Sequence, residues 1–299
     1  MPQRSFRSQL PVDLRLTLIA MRRGRHDLTL RLGGHEALRA TRTPDGPATL
    51  HLRADGREIA ARAWGPGAEW ALETAPRLVG ADDRSSGFEP RDEIVAGLHR
   101  RYPGLRLGGC LGAIEVLVPT ILEQKVTGIE ARRSYQTIIR RYGEPAPGPG
   151  NLWVPPGPDD IAGIPSWSWH AAGVERRRAE TIRRICTRAR RLEDAVLHLS
   201  PVEVHRRLLS FPGVGPWTAA YTTLLAMGDP DAVLVGDLHI PHLVAWMLAG
   251  EERGSDQRML ELLEPYRGHR GRVIRLIEAA NNRPARHAPR RALRQITRI

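Results

Sequence analysis

Lysine is almost absent from this 299-residue chain: Lys125 is the one lysine, and the other 44 basic residues are arginines. Any chemistry that needs a lysine amine, such as formation of a Schiff base, therefore has a single candidate. Cysteine is nearly as scarce, because Cys110 and Cys186 are the only two. Two cysteines give no disulfide framework, and no cysteine-rich cluster has metal-ligand spacing, so neither a structural zinc nor an iron–sulfur cluster is expected. We expect both cysteines to be reduced and buried.

Long apolar runs are also missing. No stretch approaches the ~18 consecutive apolar residues of a membrane-spanning helix, and the N-terminus lacks the apolar core of a secretion signal. The sequence therefore predicts a protein that is neither secreted nor inserted in a membrane, and we expect a cytoplasmic location.

Positive charge is abundant. The formal net charge is +12 and the isoelectric point is about 11.0, so a polyanion should attract the chain through a salt-dependent, sequence-independent term. This agrees with a nucleic-acid partner but does not identify one. Arginine runs such as Arg176 to Arg178 and Arg188 to Arg191 are more often solvated helix faces than DNA contacts.

The first hundred residues predict an antiparallel sheet. Apolar and polar residues alternate from Val12 to Leu18 and from Leu28 to Leu32, which is the period of two expected of strands with one buried face. Turn signals such as Gly33-Gly34 and Pro44-Asp45-Gly46 separate such strands. We assign residues 1–104 to an N-terminal β-rich domain with one or two helices.

A change of pattern at residues 102–109, where Pro-Gly and Gly-Gly pairs occur, predicts a domain boundary. Beyond it, apolar residues recur at helical spacing, as around Ile114 and Ile121. We therefore predict an α+β protein whose second domain, residues 105–280, is entirely helical. The basic tail, residues 281–299, has few apolar residues before its end and is expected to be mobile.

One nine-residue stretch carries most of the functional signal: Phe211-Pro-Gly-Val-Gly-Pro-Trp-Thr-Ala219. Gly213 and Gly215 have no Cβ, so the turn can take positive φ and bring backbone N–H groups close to an anionic oxygen. Pro216 opens the next helix, whose first N–H groups offer a further anion site. The pattern is typical of a helix-hairpin-helix that binds a DNA phosphate, although Gly-x-Gly between two amphipathic helices is often only a tight turn.

An aspartate follows this stretch after an apolar run, in Asp231-Ala-Val-Leu-Val-Gly-Asp237. An Asp just ahead of a helical segment is, by itself, more often an N-cap than a catalyst. The order and spacing of the hairpin and the aspartate, however, resemble those of the helix-hairpin-helix DNA glycosylase superfamily, and most closely its bacterial 3-methyladenine DNA glycosylase II branch. The resemblance covers about residues 105–280 and is specific around residues 208–244.

The resemblance implies a role for each matching residue. Asp237 corresponds to the catalytic aspartate, which would stabilise an oxocarbenium-like sugar and orient the attacking water. Trp217 and Tyr221, four residues apart and so on one helix face, correspond to aromatics that hold a cationic alkylated base, with packing in the core as the alternative. The hairpin residues that would contact the DNA backbone are Gly213, Val214, Gly215 and Thr218.

Position 217 also bears on the type of reaction. Members of the superfamily that cut the DNA backbone as well have a lysine where this chain has Trp217, and that lysine forms a Schiff base with the sugar. The single lysine here, Lys125, lies in a different motif. The resemblance therefore implies a monofunctional enzyme without lyase activity.

The segment Leu122-Glu-Gln-Lys-Val126 resembles the family segment that enters the duplex beside the extruded nucleotide. By this resemblance Gln124 lies next to the opposite strand and Lys125 fills the gap, a place where related enzymes have an apolar side chain. A lysine on a surface helix is the alternative.

The branch places further pocket aromatics where this chain has Arg275 and Leu276, so His269 or Trp169 would have to compensate. The preferred lesion is therefore open. The leading hypothesis is a monofunctional glycosylase of base excision repair that removes 3-methyl and 7-methyl purines from double-stranded DNA containing damaged bases. The alternatives are a glycosylase for a deaminated or oxidised purine and a non-catalytic DNA-binding protein.

No cofactor is expected to be required, and no metal is expected to be bound by side chains. The resemblance implies at most a potassium or sodium ion held by backbone carbonyls of the hairpin. We expect a monomer, because the catalytic step needs no second subunit.

Overall fold

A computed structural model gives the fold of residues 2–83 and 87–281, so residues 282–299, nearly all of the basic tail, lie outside the described residues. Within these ranges the strands are β1 (Gln3–Arg7), β2 (Leu30–Leu32), β3 (Glu36–Thr43), β4 (Gly46–Asp55), β5 (Glu58–Trp64), β6 (Glu144–Pro145) and β7 (Trp153–Val154). The α-helices are α1 (Leu14–Leu18), α2 (Ala68–Leu78), α3 (Glu93–Arg101), α4 (Ala113–Leu122), α5 (Gly128–Tyr142), α6 (Pro158–Gly163), α7 (Ser166–Ala171), α8 (Arg176–Cys186), α9 (Ala189–His198), α10 (Pro201–Leu209), α11 (Pro216–Met227), α12 (Ile240–Ala249), α13 (Asp256–Leu263) and α14 (Arg270–Ala280).

The first five strands form one antiparallel sheet with the order β1-β5-β4-β3-β2. In β4 the alternate residues Leu50, Leu52 and Ala54 are buried, because every second side chain of a strand lies on the same face. Helix α2 packs on β4 and β5 and covers the sheet. The sheet followed by many helices confirms the predicted α+β fold, and β2 lies where the alternation around Leu30 predicts a strand. The prediction that residues 105–280 are entirely helical is wrong at one place, because β6 and β7 form a two-stranded antiparallel sheet in the Pro/Gly-rich segment after α5.

The strand predicted from Val12 to Leu18 is wrong, because most of this segment is helix α1. The Asp13 carboxylate accepts a hydrogen bond from the Leu16 N–H at 2.9 Å and caps the helix. Leu14 and Leu18 are four residues apart, so both lie on one face of the helix, and both are buried. Over so few residues, leucine at every second position fits a helix as well as a strand, and the cap decides between them.

Helix α4 lies at the centre of the helical part. All of its residues except Glu115 are buried, as expected of a helix that is apolar on every side. It packs against α5, α8, α9 and α11. Its position matters for function, because its C-terminal end leads into the segment that carries Gln124 and Lys125.

The buried side chains of the sheet and of the helices form one continuous hydrophobic cluster, so the two parts pack directly on each other. The domain boundary near residue 104 stays a prediction. Cys110 and Cys186 are both buried and unpaired, as expected. Across residues 2–83 and 87–281, no helix is long and apolar enough to cross a membrane.

Candidate active site

The hairpin lies between α10 and α11. Ser200 and Glu203 form a capping box that fixes the start of α10, and Gly215 is the N-cap of α11. Gly213 has φ of +93°, and a Cβ at this position would clash with the Thr181 side chain. Gly213 is therefore required by the turn itself.

Gly215 differs from the expectation that both glycines take positive φ. Its φ is −99°, which any residue adopts, and a Cβ built on it meets no atom within 4 Å. Across the described residues, the N–H groups of Gly213 and Gly215 have no acceptor in the protein. Because the first turn of α11 adds further free N–H groups, the hairpin can bind an anionic oxygen at the open side of Gly215.

Gln124, which follows the C-terminal end of α4, connects this helix to the hairpin by hydrogen bonds. Its side-chain Nε2 donates to the Gly213 carbonyl at 3.0 Å and to the Thr218 hydroxyl at 2.8 Å. The Thr218 side chain is buried, so only the backbone N–H of Thr218 is placed to reach a phosphate. The Val214 side chain is buried as well and anchors the turn.

Lys125 is exposed and lies at the turn between α4 and α5. Its φ is +57°, a left-handed conformation that costs about 1–2 kcal/mol for a residue with a Cβ. The hydrogen bonds of Gln124 hold this turn beside the hairpin, and the capping box of Thr127 and Glu130 starts α5 directly after it. Lys125 therefore lies on an exposed turn next to the hairpin.

Asp237 lies in the loop between α11 and α12. Its Oδ1 accepts hydrogen bonds from the N–H groups of His239, at 2.7 Å, and Ile240, at 3.0 Å. Its Oδ2 accepts a hydrogen bond from the indole N–H of Trp217 at 2.8 Å. The carboxylate therefore accepts hydrogen bonds from the amides of the N-cap residue His239 and of the first residue of α12, and it is also connected to the hairpin helix.

Two further carboxylates fix this loop. Asp256, at the start of α13, accepts hydrogen bonds from the Gly236 N–H at 3.0 and 3.1 Å. Asp231 accepts from the N–H of Gly268 at 2.8 Å and pairs with Arg270. Burial would raise the pKa of Asp231, but the hydrogen bonds from Arg270 lower it below its usual value. The role of neither carboxylate is recognisable in the sequence, since an acidic residue at a helix start such as Asp256 looks like an ordinary favourable helix-terminus charge.

Trp217 and Tyr221 are stacked, with ring centroids 5.5 Å apart and planes inclined by 24°. Both are half-buried. The Tyr221 hydroxyl donates to the Ala20 carbonyl at 3.3 Å, and burial raises the pKa of Tyr221 to about 12. The aromatic pair thus begins beside Asp237 and ends against a segment near the N-terminus.

Arg23 lies at the Tyr221 end of this aromatic pair. Its guanidinium lies over the Tyr221 ring, 5.7 Å from the centroid, and pairs with Glu123 at 3.2 Å. Arg23 is buried. Desolvation would lower its pKa, but the combined Coulombic attraction of Glu123, Tyr221, Tyr135 and Asp27 raises the pKa above its usual value. This contact could not be predicted from the sequence, because about 200 residues separate Arg23 from Tyr221.

His269 and Trp169, the candidate replacements for the missing pocket aromatics, do not lie beside Trp217 and Tyr221. His269 packs against Phe88, with ring centroids 5.5 Å apart, and Trp169 is buried in the core. Within the described residues neither makes a ring contact with Trp217 or Tyr221. Arg275 is buried and donates to the Leu16 carbonyl at 3.1 Å. In the described part of the chain, no group of three or more His, Cys, Asp or Glu side chains is placed to hold a metal ion.

Comparison with known proteins finds similar proteins both by sequence and by fold. The chain is 29% identical over 170 residues to DNA-3-methyladenine glycosylase 2 of Escherichia coli (strain K12), a match that covers 56% of this chain and 58% of that protein. Its fold is similar to that of a 3-methyladenine DNA-glycosylase from Archaeoglobus fulgidus, with a TM-score of 0.78 and 19% identity over 93% of this chain and 98% of the other.

The 8-oxoguanine glycosylase/lyase of Clostridium acetobutylicum, in complex with double-stranded DNA, has a TM-score of 0.69 at 13% identity, over 93% of this chain and 97% of the other. No family model matches the chain. The sequence match spans somewhat more than half of the E. coli protein, and the structural likeness bears on the fold. By sequence the chain is a homologue of DNA-3-methyladenine glycosylase 2, and its fold is similar to those of the solved DNA glycosylases.

Proposed function

We propose that this chain is a monofunctional DNA glycosylase of base excision repair that hydrolyses the N-glycosidic bond of 3-methyl and 7-methyl purines in double-stranded DNA. The observation that carries the proposal is the hydrogen bond between Asp237 and Trp217. It joins the candidate catalytic carboxylate to the hairpin helix, so the element that binds a phosphate also positions the carboxylate. The names of the homologue and of the structural neighbour refer to 3-methyladenine and support this substrate class.

A few residues carry the steps of the proposed reaction. Hairpin amides at Gly213 and Gly215 bind a backbone phosphate, and the damaged nucleotide rotates out of the stack towards the Trp217 ring. Asp237 faces the sugar, where its negative charge stabilises the oxocarbenium-like transition state and orients the attacking water. A purine alkylated at N3 or N7 already carries positive charge, so it leaves without a second acidic group.

Arg23 favours a second candidate function within the same reaction class. A guanidinium over the Tyr221 ring places positive charge at one end of the pocket, and Glu123 offsets part of that charge. Such a pocket suits a neutral base with a carbonyl acceptor, as in a deaminated or oxidised purine, better than a cationic base. A duplex that contains hypoxanthine, a deaminated purine, therefore tests this second candidate.

The potassium or sodium ion expected from the resemblance fits two of the hairpin carbonyls poorly. The Gly213 carbonyl accepts a hydrogen bond from Gln124, and the Pro212 carbonyl accepts one from Arg184 at 3.2 Å. The positive charge of Arg184 would repel a cation there. The proposed reaction uses no ion and no cofactor, and it proceeds on a monomer in the cytoplasm.

The proposal is tested with duplexes that contain 7-methylguanine, hypoxanthine or no lesion. We expect release of the free methylated base, with an abasic strand that stays intact until alkali is added. Borohydride present during turnover should trap no covalent adduct, because Trp217 stands where a lyase would have a lysine. Binding without release of either base would leave the non-catalytic alternative, and a trapped adduct at Lys125 would overturn the monofunctional assignment.

Lys125 gives a second prediction. If it fills the gap left by the extruded nucleotide, Lys125→Ala should slow excision from duplex DNA by about tenfold or more, because opening the stack costs a few kcal/mol that the side chain helps to offset. Excision from single strands should change little, and Lys125→Leu should retain duplex activity. The measurement is single-turnover excision on both substrates. Equal losses on duplex and single strand would instead place Lys125 on a phosphate.

A further inference from the structure

A cavity of about 450 Å³ lies between the sheet and the helices, beside the N-terminal end of α4. Its walls are largely apolar and include Leu111, Ile114, Val118, Ile138, Ile161 and Leu197. The volume falls within the range of small-molecule sites. None of its lining residues belongs to the hairpin or to the Asp237 loop, and α4 separates it from Gln124, which follows the opposite end of that helix.

Glu193 is the polar group that distinguishes this cavity. It projects from α9, and its carboxylate accepts hydrogen bonds from the N–H groups of Ala113, at 2.7 Å, and Ile114, at 2.9 Å. Burial raises the pKa of Glu193 to about 7, and the neighbouring carboxylate of Glu115 acts in the same direction. Within the described residues no basic side chain pairs with Glu193.

The positive groups nearby are engaged with other partners. Arg39 pairs with Glu115 at 2.6 Å, and Arg42 pairs with Glu144. Arg190 and Asp194 stand at the exposed rim, where solvent screens their charges, and Asp194 pairs with His198 at 3.1 Å. The cavity therefore has apolar walls and one half-buried carboxylate without a cationic partner among the described residues. A positively charged ligand bound beside this carboxylate would offset part of the free energy that its desolvation costs.

We propose that this cavity is a second ligand site, which takes a small apolar molecule carrying an ammonium group. The ammonium donates to the free acceptor positions of the Glu193 carboxylate, and the apolar body packs against Ile114, Val118 and Leu197. An anionic ligand is excluded, because Glu115 and Glu193 face it together. The site is separate from the proposed glycosylase reaction and does not depend on it.

The test uses three probes of one shape: 2-phenylethylammonium, 2-phenylethanol and 3-phenylpropionate, titrated by calorimetry into the full-length protein at pH 8. We expect saturable binding of the ammonium, about tenfold weaker binding of the alcohol and no binding of the carboxylate. Equal affinities for ammonium and alcohol, or no saturable binding, would overturn the proposal.

Substitutions in and away from the cavity test where the ammonium probe binds. Leu197→Trp fills the mouth of the cavity and should weaken ammonium binding about tenfold, whereas Ile94→Trp, at a position of the same exposure on α3, should not change it. Glu193→Gln should abolish the preference for ammonium over alcohol while the alcohol still binds. Binding that survives Leu197→Trp and disappears when an abasic duplex is bound would move the probe to the Trp217 pocket and refute the second site.

Discussion

Asp237→Asn should abolish release of the methylated base, with a loss of at least about 10³-fold in single-turnover rate, because it removes the one negative charge proposed to face the developing positive sugar. The side-chain oxygen of asparagine can accept the same hydrogen bonds from the amides of His239 and Ile240, so the fold should survive. DNA affinity should stay similar or improve slightly, since a negative charge near phosphate is lost.

Asp256→Asn is the matched control. It changes a second carboxylate of the same loop region, but its amide oxygen still accepts the Gly236 N–H. Excision by this variant should stay within a few-fold of the unmodified protein. Release by Asp237→Asn at the unmodified rate, or equal losses in both variants, would contradict the assigned role of Asp237.

The two hairpin glycines should respond in opposite ways to alanine. Gly213→Ala should lower the free energy of unfolding by at least about 1–2 kcal/mol, because the left-handed backbone is strained and the methyl group clashes with Thr181. Gly215→Ala should leave stability unchanged, because its φ suits alanine and its methyl group meets open space.

The effect of Gly215→Ala should appear in DNA binding rather than in stability. Gly215→Ala should weaken lesion and undamaged duplexes alike, by about tenfold, because the methyl group occupies the space through which a phosphate approaches the amides. Urea unfolding and fluorescence anisotropy at several salt concentrations measure the two effects. Loss of affinity for lesion DNA alone in Gly215→Ala would contradict the role of the hairpin as a phosphate clamp.

The sequence predicted the parts of this molecule that depend on local chemistry. Gly213, Pro216 and Asp237 are recognisable because a tight turn, a helix start and a carboxylate ahead of a helix each need particular residue types. The same local logic failed from Val12 to Leu18, where the leucine spacing fitted two periods and the Asp13 cap went unrecognised. Local patterns thus predict an element best when a cap or a turn residue is included.

Contacts between distant segments could not be predicted in this way. The hydrogen bond from Trp217 to Asp237 depends on how the loop after α11 folds back, and the position of Arg23 over Tyr221 depends on how the sheet packs against the helices. Neither contact produces a periodic pattern or a bias in composition that could be recognised in the sequence. The resemblance identified Trp217 as a pocket residue but gave no indication that its indole holds the carboxylate.

The residues around the proposed base site come from distant parts of the sequence, since the hydrogen bond from Tyr221 to Ala20 joins residues 201 positions apart. A mutant library restricted to Ala20, Met21 and Arg23 would therefore vary the surroundings of the base while leaving the hairpin and Asp237 unchanged. If the proposed function holds, directed evolution towards a new lesion can begin near the N-terminus, in a segment to which the proposed reaction assigns no step.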